Sequence, residues 1–330
     1  MDAAPAGDWR RRLPALRRAG LWTIVGCVAA YAVVGIAVEG GPAARQGLPA
    51  PQHLDLLPLI LLMAPLNYAL RFVKWHLYTL RLGFHQVPWR GNLLVFLSGM
   101  GLTLTPGKVG ELFKSWLLWD RYGVPSARSA PMVVADRVTD GCAMLALASV
   151  GAVLLGRGHI PWVLIAAVLV LIALVRSRRT MLAVVRLLAR VPRLRSLEHK
   201  LLELLDATQA LFALDLFGAA FGLGCVGWGL EGLLVYFVLG MFGYSFAVGA
   251  SVFVVASSAI AGGVSPLPGG VGAAEAVMIA LLLWLRVPLS LAVVTTLIVR
   301  FATLWLGVAI GLVCLGFTGG RAAPARAPAP

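Results

Sequence analysis

Two apolar stretches, residues 92–119 and 248–285, are long enough to reach across a membrane but are broken in the middle by proline and glycine. The breaks read Thr105-Pro106-Gly107 and Ser265-Pro266-Leu267-Pro268-Gly269-Gly270. Proline removes a backbone donor and clashes with the preceding turn, so neither stretch continues as one helix, and each half is too short to span. Unpaired backbone in hydrocarbon costs several kcal/mol per group, so such a break is tolerated only against protein or a water-filled cavity. Two of them commit the chain to enclosing a polar interior within the membrane. Composition places the chain there: 60% of its 330 residues are hydrophobic and 13% charged, outside the range of soluble domains.

Uninterrupted apolar runs of spanning length occupy residues 21–38, 54–70 (extending amphipathically to 80), 133–155, 160–175, 216–239 and 289–317. The first follows Arg10, Arg11, Arg12, Arg17 and Arg18 and is longer than a signal-peptide core, so it reads as a retained anchor. These six crossings, with two re-entrant helical hairpins, define an all-α polytopic membrane protein. Cytoplasmic loops hold Lys and Arg in excess. With the N-terminus inside, the basic residues from Arg71 to Arg128, from Arg176 to Lys200, and Arg321 and Arg326 all face the cytoplasm. Only Arg45, Arg157 and Arg286 remain outside, and this alternation holds only if neither broken stretch crosses. The net charge of +14 is thus sorted between loops and does not indicate nucleic acid. The expected organisation is a basic cytoplasmic N-terminus (1–20), one membrane domain (21–317) and a disordered cytoplasmic tail (318–330). Within the domain, 176–215 carries apolar residues at helical spacing among arginines, as in a helix lying on an anionic leaflet or, equally, a positive-inside loop with no binding role.

The broken stretches echo each other. Pro106-Gly107-Lys108-Val109-Gly110 aligns with Pro268-Gly269-Gly270-Val271-Gly272, and a glutamate follows each, Glu111 and Glu275. Each is followed by a span bearing one arginine, Arg137 at 31 residues from Pro106 and Arg300 at 32 from Pro268. Three crossings separate the two copies, so the second is inserted upside down: an inverted repeat, the architecture of transporters that bind substrate at the repeat interface near the bilayer midplane.

Charges within spans are costly and are functional candidates. Asp136 and Asp140 share a helix face with Arg137 one position round, so an internal ion pair is one reading. Arg300 has no acid within a turn; its partner is Glu275, Glu111, Glu231 or a bound anion. Glu231 is mid-span without a local base, either a proton-coupling carboxylate or one kept neutral by burial. The glycine-rich turns open new helices whose first amides could receive a phosphate, or they merely close two hairpins. Lys108 and Lys114 could collect an anionic head group, although positive-inside sorting explains them as well. The four cysteines are scattered, the histidines do not cluster, and no phosphate-binding loop, nucleophile elbow or His-Glu-x-x-His is present, so neither a cofactor nor an ATPase is expected.

Residues 106–114 (Pro-Gly-Lys-Val-Gly-Glu-Leu-Phe-Lys), 136–140 (Asp-Arg-Val-Thr-Asp) and 267–275 (Leu-Pro-Gly-Gly-Val-Gly-Ala-Ala-Glu) resemble the signature stretches of the flippase-like membrane region of bacterial lysylphosphatidylglycerol synthases. The resemblance runs from about residue 20 to 317; where relatives commonly carry Glu before the Arg, this chain has Asp136. It implies movement of a lipid between leaflets of the bacterial inner membrane. No aminoacyltransferase domain follows, so a stand-alone member is expected and synthase activity is not carried over. The expected substrate is an anionic phospholipid, a glycolipid or a polyprenyl-linked lipid. Its head group would be held between the hairpins by Pro106, Gly107, Lys108, Gly110, Glu111, Asp136, Arg137, Asp140, Glu231, Pro268, Gly269, Gly270, Gly272, Glu275 and Arg300. Two other readings stand beside this one. The first is an intramembrane transferase acting on a lipid phosphate or lipid-linked sugar, with Glu111 or Asp136 as base. The second is a non-transporting membrane partner of a glycosyltransferase or another lipid-modifying enzyme. A homodimer is left open.

Overall fold

A computed structural model of the chain describes residues 49–103, 109–156, 160–180, 182–183 and 198–318. The expected anchor at 21–38, the Pro106-Gly107-Lys108 break, residues 181 and 184–197 of the basic segment and the tail from 319 lie outside the described residues.

Every regular element among the described residues is helical. They are α1 (Leu57–Arg81), α2 (Trp89–Met100), α3 (Val109–Tyr122), α4 (Ser126–Leu154), α5 (Ile160–Arg176), α6 (Glu198–Leu211), α7 (Leu214–Met241), α8 (Val248–Val264), α9 (Ala273–Trp284), α10 (Leu289–Arg300) and α11 (Leu306–Phe317). A π turn over Phe301–Trp305 joins the last two. Four of these units are long and apolar enough to cross a membrane: Leu54–Arg81, Ser126–Leu154, Leu214–Met241 and Leu289–Phe317. With 17 residues, α5 lies at the short end of the spanning range. The protein is an all-α polytopic membrane protein.

Both broken stretches are helix, break, helix, and in each the two arms pack on one another. Arms of 12 to 17 residues reach only about 18–26 Å at 1.5 Å per residue, short of the ~30 Å hydrocarbon core. The second turn is fully described. Gly269, Gly270 and Gly272 have φ of 61°, 67° and 89°, a region closed to most side chains. At Gly270 a Cβ would also lie 2.6 Å from the Gly262 carbonyl oxygen on the first arm, so glycine sets how closely the arms approach. Gly270→Ala is expected to cost about 2–5 kcal/mol, adding backbone strain to overpacking. Gly83→Ala, with φ of 77° but open space around it, should show only the strain of about 1–2 kcal/mol. Thermal unfolding of both variants in detergent checks the difference.

The packing follows the repeat. One apolar core gathers Trp75 and Tyr78 of α1, Leu117 and Leu118 of α3 and Met132 of α4. A second gathers Leu234 of α7, Val254 of α8, Leu282 of α9 and Leu291 of α10. The first arm of each hairpin then crosses over to the other repeat: α2 packs on α11, and α8 packs on α4. Both crossings are made by glycine. A Cβ on Gly311 would collide with the backbone of Gly101, and one on Gly151 would lie 2.9 Å from the Gly249 carbonyl oxygen. Small residues let helix backbones approach closely where apolar burial supplies no drive for association.

Within the basic segment at 176–215, the described helix α6 buries Ala207 and Leu211 in the first core and packs on α4, so this part is an element of the helix bundle.

Candidate functional site

The site is built around a stripe that sequence analysis misassigned. Asn67, Arg71, Lys74 and Tyr78 recur at helical spacing on one face of α1. Arg71 and Lys74 were counted with cytoplasmic loop charges; both lie inside the helix bundle, with Lys74 1% exposed. Positive-inside counting missed this because it weighs charge along the chain and cannot see that this face of α1 packs against the acidic residues of α4 and α7.

The stripe faces α4 and α7. Lys74 Nζ lies 2.7 Å from Asp136 and also pairs with Asp140, while the Tyr78 and Thr139 hydroxyls are 3.0 Å apart. Arg71 lies 3.6 Å from Asp140 and 3.5 Å from Glu231, and Asn67 donates to the same Glu231 oxygen at 2.7 Å. Glu231, which had no local base in the sequence, is therefore held by α1.

Arg137 reaches back to the first hairpin. Its guanidinium is 3.1 Å from Glu111 of α3, 2.7 Å from Asp136 and 3.4 Å from Asp140. The internal pairing expected from Asp136 and Asp140 is present, with Glu111 added. The second repeat repeats the device. Arg300 Nε donates to Glu275 at 2.6 Å and its Nη2 donates to the Gly269 carbonyl at 3.3 Å, tying α10 to the hairpin turn. Each hairpin's second arm is thus latched by glutamate to the arginine of the following span.

At the second turn Glu275 Oε2 accepts from the Gly272 amide at 2.7 Å. The helix-end amide there is already satisfied by the protein's own carboxylate. Gly110 lies on α3, whose start adjoins the undescribed Pro106-Gly107-Lys108 break; Pro268 opens the second turn. The π turn after Arg300 interrupts what the sequence predicted as one regular span, and Tyr68 of α1 donates to the Ala302 carbonyl there at 2.7 Å. Such turns mark functional positions in helices.

These groups converge on one cavity of about 560 Å³. Glu111, Asp136, Arg137, Asp140, Glu231, Gly269 and Arg300 line it, with Arg71 and Lys114 among those the site reading left out. Pro268, Gly270, Gly272 and Glu275 are not part of its lining, although Glu275 holds Arg300, which is. The volume lies within the range of about 300–1,000 Å³ for ligand sites.

Over residues 5–311 the chain matches the family model described as the lysylphosphatidylglycerol synthase TM region. No curated protein and no solved structure matches it. The chain belongs to the lysylphosphatidylglycerol synthase transmembrane-region family.

Proposed function

From membership of a family of lipid-related membrane regions, we propose that the protein moves a lipid head group across the bacterial cytoplasmic membrane, with both termini in the cytoplasm. One observation carries the reading: charged side chains of both repeats line one shared cavity among helices that include four of spanning length. Intramembrane charges facing a cavity mark substrate pathways, and repeat interfaces are where transporters bind. The head group occupies the cavity while its acyl chains remain in lipid. The latches Glu111 to Arg137 and Glu275 to Arg300 hold the two hairpins, and exchange of access follows when one hairpin shifts against the span on which it rides. Asp136 and Glu111 are both ion-paired, which favours translocation over an intramembrane transferase needing one of them as a free base.

The test is leaflet exchange of tail-labelled phosphatidylglycerol and phosphatidylcholine in proteoliposomes, wild type against Gly141→Phe. Gly141 lines the cavity, and a Cβ there meets nothing within 4 Å, so a side chain can start into the space from this position without removing a charge. Exchange should be accelerated by the wild type and fall at least about tenfold in the plugged variant, equivalent to 1.4 kcal/mol in the barrier. Equal exchange by both proteins would count against the cavity as the route.

A further inference from the structure

The cations in and beside the cavity are not equivalent. Arg137 meets three carboxylates, Lys74 two, Arg71 two, and Arg300 meets Glu275. Lys114 of α3 differs: it is 5% exposed and lines the cavity, yet among the described residues it has no carboxylate within ion-pair distance. Aromatic faces hold its ammonium instead, with Nζ 4.5 Å from the Trp75 ring centre and 5.5 Å from that of Phe96.

This placement is built in. A Cβ on Gly99 would collide with the aliphatic stem of Lys114, so glycine on the first arm of the hairpin leaves the groove through which the stem passes. Trp75 is itself fixed, donating its indole N–H to Asn92 at 2.9 Å. A buried ammonium cradled by rings keeps its donors free, because ring faces attract the charge without supplying lone-pair acceptors. An anion that docks there breaks no existing pair, whereas docking on Arg137 or Arg300 has to displace a buried carboxylate. Lysine is a compact point charge suited to a tetrahedral oxyanion.

We propose that the Lys114 ammonium, framed by Trp75 and Phe96, is the docking point for a phosphate monoester or diester, and that Arg137 and Arg300 serve as latches without contacting the anion. The assignment of that phosphate to a lipid head group rests on the transport reading above; the phosphate site itself does not.

The experiment measures binding of tail-labelled phosphatidylglycerol to the purified full chain in detergent. Competitors are unlabelled phosphatidylglycerol, diacylglycerol of the same chains and inorganic phosphate. Phosphatidylglycerol should compete and diacylglycerol should not. Lys114→Met keeps the stem in the Gly99 groove while deleting the charge, and should weaken binding at least about tenfold, as loss of a charge-assisted hydrogen bond does. Lys114→Arg restores charge and should recover most of the affinity. Lys114→Gln provides a second uncharged variant if the methionine form does not fold.

Competition by the lipid alone assigns the site to a head group, and equal competition by inorganic phosphate assigns it to the free anion. Diacylglycerol competing as well as the phospholipid, or both uncharged variants binding within about twofold of wild type, overturns the proposal. Lys114-dependent binding without leaflet exchange would retain the site and remove the transport reading. Wild-type exchange unchanged in Lys114→Met, with unchanged binding, would do the reverse.

Discussion

Lys74→Met should melt far below the wild type in detergent. The substitution preserves the length of the stem but strips Asp136 and Asp140, 5% and 2% exposed, of the ammonium they share. Breaking a buried pair by removing one partner costs about 3–5 kcal/mol, because the surviving charge is left buried without a full partner. Here two carboxylates share that loss, although Arg71 and Arg137 retain part of the balance. Adding Asp140→Asn should recover a portion of the stability, since one stranded charge is then removed, and this coupling separates an ionic cause from a packing defect. A melting shift under about 2 °C for Lys74→Met, less than 1 kcal/mol for a chain of this size, would show that the pair does not hold α1 to α4.

Arg300→Ala carries the second large effect, and it is local. Glu275 loses its 2.6 Å partner and the turn loses the bond to the Gly269 carbonyl. The expected destabilisation is again about 3–5 kcal/mol, concentrated in residues 265–275. Hydrogen exchange should therefore rise in that turn before it rises in α4, and lipid exchange in proteoliposomes should fall with it. Glu275→Gln combined with Arg300→Met removes both charges. It should recover much of the stability and leave transport impaired, because the latch is missing although no charge is stranded. Uniform deprotection across all helices would instead mean that Arg300 supports the whole bundle.

What could be read in advance divides along a physical line. Apolar runs fix where helices form, and the chemistry of Pro and Gly fixes where they break, so α1, α5, α7, both hairpins and the two ends of the α10–α11 unit were placed within a few residues, whereas α4 starts earlier than its apolar run and the π turn inside the last unit was not foreseen. Spacing to a lone intramembrane arginine singled out Arg137 and Arg300, and both line the cavity. The partners were a different matter. Arg300 had four candidate partners in the sequence, and only packing of α10 on α9 selects Glu275. The stripe of Asn67, Arg71, Lys74 and Tyr78 carried a legible period, but the loop-charge rule claimed its two cations first. Lys114 was named in sequence beside Lys108 as a basic residue that could collect an anionic head group, but positive-inside sorting explained it equally; what sets it apart is the glycine and the two rings brought alongside by folding.

The exchange of hairpin arms between repeats bears on how such a chain is made. Translation delivers α4 before α8, so the second hairpin meets its docking surface as soon as it emerges. The first hairpin has no such luck, since α2 ends at Met100 and its partner α11 begins only at Leu306. At 5–20 residues per second the interval is roughly 10–40 s. Through that time the surface around Gly101 lacks the α11 backbone that later packs on it. The cavity is therefore complete only when α11 arrives, and a nascent chain stopped before it carries an unfinished first hairpin.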